Sequence, residues 1–190
     1  MKSLVRIVAS TSCLVAAAAA CAQTAAKLLP AQSEIAFVSK QMGVPVEGVF
    51  KRFDARIELD PKKPEGGKVT FTIDTGSASL GIAETDAELP KPEWFNAHKF
   101  PQATFQSSAI KAAGAGKFEV VGKLTIKGNV RDVVVPVSLT QSAGTSVATG
   151  SFTIKRLEFK IGEGDWADTS MVANDVQVRF KLAFTGLGPL

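Results

Sequence analysis

Few residues in this chain are equipped for covalent or metal chemistry. His98 is the only imidazole in 190 residues, and it stands in WFNAHKFPQ between Ala97 and Lys99, just ahead of Phe100-Pro101. That setting predicts an exposed turn, where a histidine needs no special task to account for it. A Ser-His-Asp or Cys-His arrangement would have to be built on this one base. There is no His pair, no His-Glu-x-x-His and no Cys-x-x-Cys, so a zinc or haem site lacks its first ligands. Glu163, Asp165 and Asp168 could flank a hard cation through oxygen, but their spacing departs from an EF-hand loop and reads as a solvated acidic loop. Gly162-x-Gly164 lacks the strand-turn-helix context of a phosphate cradle. No catalytic residue, metal or cofactor is expected. Acid-base chemistry by two carboxylates that meet only in three dimensions stays open as the alternative.

The rest of the composition is apolar. Twelve phenylalanines and no tyrosine supply large hydrophobic area with no hydroxyl to satisfy, which suits a dry core and a greasy cavity equally. At the start, Lys2 and Arg6 precede an Ala-rich run ending in Ala20-Cys21-Ala22-Gln23, the pattern of a secretory signal cleaved after about Ala22. The expected organisation is a signal at 1–22 and one exported domain over 23–190. Ala18-Ala19-Ala20-Cys21 also has a faint likeness to a lipobox, with Ala18 where Leu is usual; acylation of Cys21 would tether the protein loosely to a membrane. Cys13 leaves with the signal in either case, so the mature domain has no internal disulfide and must rely on its core. Loss of Lys2 and Arg6 would take two charges off the net +4. So small and scattered a positive charge makes nucleic acid a poor partner.

The elements that must position these residues are strands. Period-two alternation runs through Ile35 and Phe37, then Val46, Gly48 and Phe50. It continues in the opposite phase through Phe53, Ala55, Ile57 and Leu59, so a bulge at Lys51-Arg52 is expected to bend one long strand. Val69, Phe71 and Ile73 form a third strand, and Ala103, Phe105, Ser107 and Ala109 a fourth. Phe118 to Ile126 and Val133 to Leu139 read as a hairpin turning at Lys127-Gly128-Asn129, with Pro136 at a bulge or an edge. Ala148 to Ile154 and Val176 to Phe184 complete the set. The expected fold is all-β, an eight-stranded antiparallel up-and-down barrel with a short helix near Ala83–Leu89 between strands three and four. A two-sheet sandwich is the competing architecture.

Four segments together resemble the YceI-like family: SEIAFVSK with Val46-x-Gly48-x-Phe50, WFNAHKFPQATFQSS at 94–108, KLTIKGNVRDVVVPV at 123–137, and Lys155–Phe159 with the following GEGDWADTSMVANDVQVRF. The likeness extends from about Leu28 to Phe184. It implies a lipocalin-like barrel in the bacterial periplasm that binds a lipophilic small molecule, namely an isoprenoid, quinone or fatty-acyl chain. The family offers no fixed set of catalytic residues to carry over, so lining positions follow from strand phase. They are Phe37, Phe50, Phe53, Phe71, Ile73, Phe105, Phe118, Phe152, Ile154 and Phe180. Trp94 and Phe95 would close one mouth, with Trp166 and Met171 closing it from the 160s loop. Arg156 shares phase with Phe152 and Ile154. Facing inward it would need an anionic partner, a protein carboxylate or a ligand head group; facing outward it would be solvated. A homodimer and a solid barrel acting as a structural or redox partner are further readings.

Overall fold

The computed structural model of the protein describes residues 25–190. The expected signal segment and Cys21 lie outside the described residues. Eleven strands form one antiparallel sheet: β1 (Lys27–Leu28), β2 (Glu34–Gln41), β3 (Val44–Phe50), β4 (Phe53–Glu58), β5 (Lys68–Asp74), β6 (Ala78–Ser79), β7 (Gln102–Gly114), β8 (Lys117–Ile126), β9 (Asn129–Ser142), β10 (Thr145–Lys155) and β11 (Asp175–Thr185). Hydrogen bonding runs β4-β5-β7-β8-β9-β10-β11-β2-β3-β6, with β1 on β11. The path leaves from β4 and returns to β3, and only Lys51 and Arg52 separate those two in the chain. The sheet is therefore curled into a barrel.

Eight strands were expected and eleven are found. The difference is two dipeptide strands, β1 and β6, and the division of one bent strand into β3 and β4 at the expected kink. There the Lys51 and Arg52 amides donate to the Ser77 carbonyl (3.1 Å) and the Ser77 hydroxyl (3.0 Å), and the Asp74 amide donates to the Arg52 carbonyl (3.0 Å). β1 fills the remaining seam: Lys27 and Leu28 pair with Thr185 and Phe184, while the Ala26 amide donates to the Ile57 carbonyl of β4 at 2.8 Å.

Local chemistry explains the turns and irregularities. Lys127 (φ 50) and Gly128 (φ 75) form a two-residue hairpin loop with both residues left-handed, which matches the twist of the flanking strands. Pro136 lies one residue beyond the point where the β9–β10 ladder ends at Val137–Gly150, so its missing amide costs no bond there. In β7 the register slips between Ser107 and Ala109, and the Ser107 hydroxyl accepts the Val69 amide at 2.8 Å. This bulge reverses the phase: Ile110, 2% exposed, enters the core where simple alternation predicted Ala109. The helix α1 is shorter than expected, Ala83–Asp86, and turns carry the chain through Trp94 and Phe95 to β7.

Candidate functional site

Inward-facing side chains leave two cavities, each about 120 Å³. Strand positions order them along the barrel axis. Along β8 the lower cavity meets Phe118 and Val120, and the upper one Leu124 and Ile126. Along β11 the lower meets Leu182 and Phe184, the upper Val176. Ile35, Ile73, Phe152 and Val178 border both and form a waist between them. All nineteen side chains around the lower cavity are Ile, Leu, Val, Phe or Ala. The upper cavity adds loop residues Leu89, Trp94, Phe95 and Ile161, and its polar side chains are Ser39, Arg156 and the indole of Trp94.

Phe71, Phe105, Phe118 and Phe180 line the lower cavity, and Ile73 and Phe152 form part of the waist. Phe37, Phe50, Trp94, Phe95, Ile154 and Arg156 line the upper one. Three expected residues lie elsewhere. Phe53, the first residue after the kink, packs on the core edge and borders an outer hollow with Pro30 and Arg52. Met171 is 45% exposed. Trp166, 39% exposed, packs its ring against Trp94 at a tilt of 47°, with centroids 5.4 Å apart, and borders a separate surface groove.

Arg156 corrects both readings of its role, because it is neither solvated nor waiting for an anion. It is 1% exposed, and its guanidinium donates to five backbone carbonyls. Nε bonds Ala173 (3.1 Å), Nη1 bonds Ile161 (2.9 Å) and Gly162 (2.8 Å), and Nη2 bonds Trp166 (2.6 Å) and Val172 (2.7 Å). Burial holds its pKa below the ordinary guanidinium value. Five donors meeting five acceptors leave none for a ligand, so the side chain serves to shape the 156–174 loop.

That loop and the 87–101 turns together cap the upper mouth. The Gly162 and Glu163 amides donate to the Glu93 carbonyl at 2.8 and 3.0 Å. Lys127, 7% exposed, fixes the same junction: its ammonium donates to the Pro92 and Lys160 carbonyls (2.6 Å each) and to Glu163 Oε2 (2.8 Å). Under the cap, Phe37, Phe50 and Phe95 form a chain of rings with centroids 5.3 and 5.7 Å apart. His98 is an exposed turn residue, as its sequence setting predicts.

Sequence reasoning missed Ser39, Leu89, Ile161 and Lys127. The two apolar residues sit in loops without periodicity, and nothing local distinguishes a buried lysine at a hairpin turn from an exposed one. Ser39 carried a weak signal: it continues the inward phase of Ile35 and Phe37.

A curled antiparallel sheet around stacked apolar cavities, with loops capping one mouth, defines a hollow β-barrel protein. Within that class the chain belongs to the YceI-like family, whose YceI-like domain matches residues 27–184. The crystal structure of BcnA from Burkholderia cenocepacia superposes with a TM-score of 0.80 at 45% identity, covering 83% of this chain and 99% of that one. Protein YceI of Salmonella arizonae is 39% identical over 92 residues, 48% of each chain, so the match spans about half the length of that curated relative. A polyisoprenoid binding domain from Saccharophagus degradans, implicated in plant cell wall breakdown, has a TM-score of 0.69 over 85% of this chain. At 18% identity that likeness is one of fold.

Proposed function

We propose that this protein binds one long apolar molecule, of isoprenoid, quinone-like or fatty-acyl kind, inside its barrel, and carries or sequesters it in the bacterial periplasm without transforming it. The observation that carries this reading is the pair of voids walled almost wholly by hydrocarbon. Unfilled space costs about 24 cal/mol per Å³, so two cavities of about 120 Å³ forgo about 6 kcal/mol of packing. That is a large share of the 5–15 kcal/mol by which a domain is typically stable. Water gains little in an apolar cavity with no polar partners, whereas a hydrocarbon chain regains the lost contacts. Removing the chain from water adds about 25 cal/mol per Å² of apolar area. Each cavity alone is smaller than the roughly 300–1,000 Å³ of common ligand pockets. A long ligand therefore joins them by moving the waist side chains. The polyisoprenoid binding of the Saccharophagus degradans domain supports the ligand class, and the signal-like start supports the compartment.

The test is to purify the protein from bacterial envelopes without detergent, extract it with organic solvent and identify the extract by mass spectrometry. The expected result is a near-stoichiometric prenyl, quinone or acyl lipid. Protein free of lipid that also fails to bind added prenols, quinones and fatty acids would refute the proposal.

A further inference from the structure

Ser39 carries the one buried side-chain polar atom among the described residues that the fold leaves without a hydrogen bond. It lies on β2 opposite Val46 of β3, and its hydroxyl is buried with no hydrogen-bond partner among the described residues. A buried hydroxyl in this state carries a desolvation cost that a ligand atom can relieve. Its position is also particular. Ser39 borders both the upper cavity and the surface groove outside it, sharing that boundary with Phe37, Leu89 and Trp94. A chain filling the barrel from the lower cavity upward would bring its terminal group to this point.

The surroundings select the charge of that group. Arg156, the nearest candidate for an anion, has every N–H engaged by backbone carbonyls. No lysine or arginine borders the groove, and the one carboxylate that does, Glu88, is already paired with Lys91 at 2.6 Å. A diphosphate or carboxylate buried beside Ser39 would be desolvated without a counter-charge, because Arg156 is engaged by carbonyls and Lys91 by Glu88. A hydroxyl or carbonyl needs only one hydrogen bond, and a serine can donate or accept it.

Resting on the lipophile-binding reading, we propose that Ser39 anchors the head group of the ligand. The ligand is a long apolar chain ending in a neutral oxygen, with that oxygen bonded to Ser39 Oγ and the chain running down through the waist. The site thereby discriminates against the phosphorylated or ionised form of the same chain.

The experiment compares three probes, geranylgeraniol, the hydrocarbon lacking its hydroxyl, and geranylgeranyl diphosphate, on wild type and Ser39→Ala. Binding is read by tryptophan fluorescence, since Trp94 lines the cavity and Trp166 packs against it. Wild type should bind the prenol about 10-fold tighter than the hydrocarbon, the size of one net hydrogen bond. It should bind the diphosphate more weakly than the prenol. Ser39→Ala should lose the prenol preference, keep its affinity for the hydrocarbon and match or exceed the wild-type melting temperature, because the hydroxyl has no partner to lose. An unchanged prenol preference in the variant, a diphosphate that binds as tightly as the prenol, or a lower melting temperature would each overturn the anchor. Those results leave the lipophile-binding reading standing, whereas failure of wild type to bind any of the three probes would sink both.

Discussion

At the scale of single residues, Arg156 shows how far a side chain's role can sit from its sequence signature. Strand phase left it free to face inward or outward, and for the inward case charge alone suggested an anion. Its partners are instead five carbonyl oxygens from a loop whose side chains give no hint of the arrangement. Removing the guanidinium leaves buried acceptors unpaired, each at a cost of order 1–3 kcal/mol. Arg156→Met should therefore lower stability by about 3–5 kcal/mol, seen as a fall in the urea midpoint. Arg156→Lys should recover only part of that, because one ammonium cannot reach five acceptors spread around a planar fork. If Arg156→Met unfolds at the wild-type midpoint, the loop does not depend on this cage.

Among the elements, periodicity located every long strand and the kink, because alternation is imposed by one buried face and each strand here has one. It did not locate β1 or β6, whose two residues are too few to show a period, and it ran past the bulge at Ser107–Ala109. Loops remained illegible for the same reason, which is why Leu89 and Ile161 were absent from the expected lining. One in-phase residue had a further meaning. Gly48 of β3 pairs with Phe37 of β2, and a Cβ on Gly48 would overlap the Phe37 ring and approach Leu80 Cδ2 at 2.8 Å. The missing side chain is what lets Phe37 fold down against the sheet and border the upper cavity. Gly48→Ala should cost about 1–3 kcal/mol by overpacking. It should also push Phe37 into the cavity, so that prenol affinity falls together with the melting temperature. A variant that melts lower but binds normally would show that Phe37 yields away from the cavity.

For the whole molecule, the waist formed by Ile35, Ile73, Phe152 and Val178 determines whether the interior acts as two chambers or one. Phase placed Phe152 and Ile73 inside, but no pattern in the chain indicates that side chains from β2, β5, β10 and β11 meet at one level of a closed barrel. Phe152→Ala should merge the chambers at a stability cost of about 3 kcal/mol, the lower end for a truncated phenylalanine in a region already partly hollow. Offered a series of prenols of increasing length, the variant should shift its preference toward longer chains in native mass spectrometry. An unchanged distribution would mean that the barrel ends, and not the waist, set the length.

The seam sealed by β1 has a consequence for how the molecule is made. Lys27 and Leu28 pair with Thr185 and Phe184, so the first and last strands are neighbours across nearly the whole described chain. A ribosome delivers the first stave of this cask long before the last, and the edges of β2 and β10, which both pair with β11, stay open in the interval. Contacts so distant in sequence also make folding intrinsically slow. Unpaired edges invite pairing with other chains. The vulnerable moment for this protein thus precedes completion of its C-terminal strand, and a holding chaperone would matter more to its yield than any later gain in native stability.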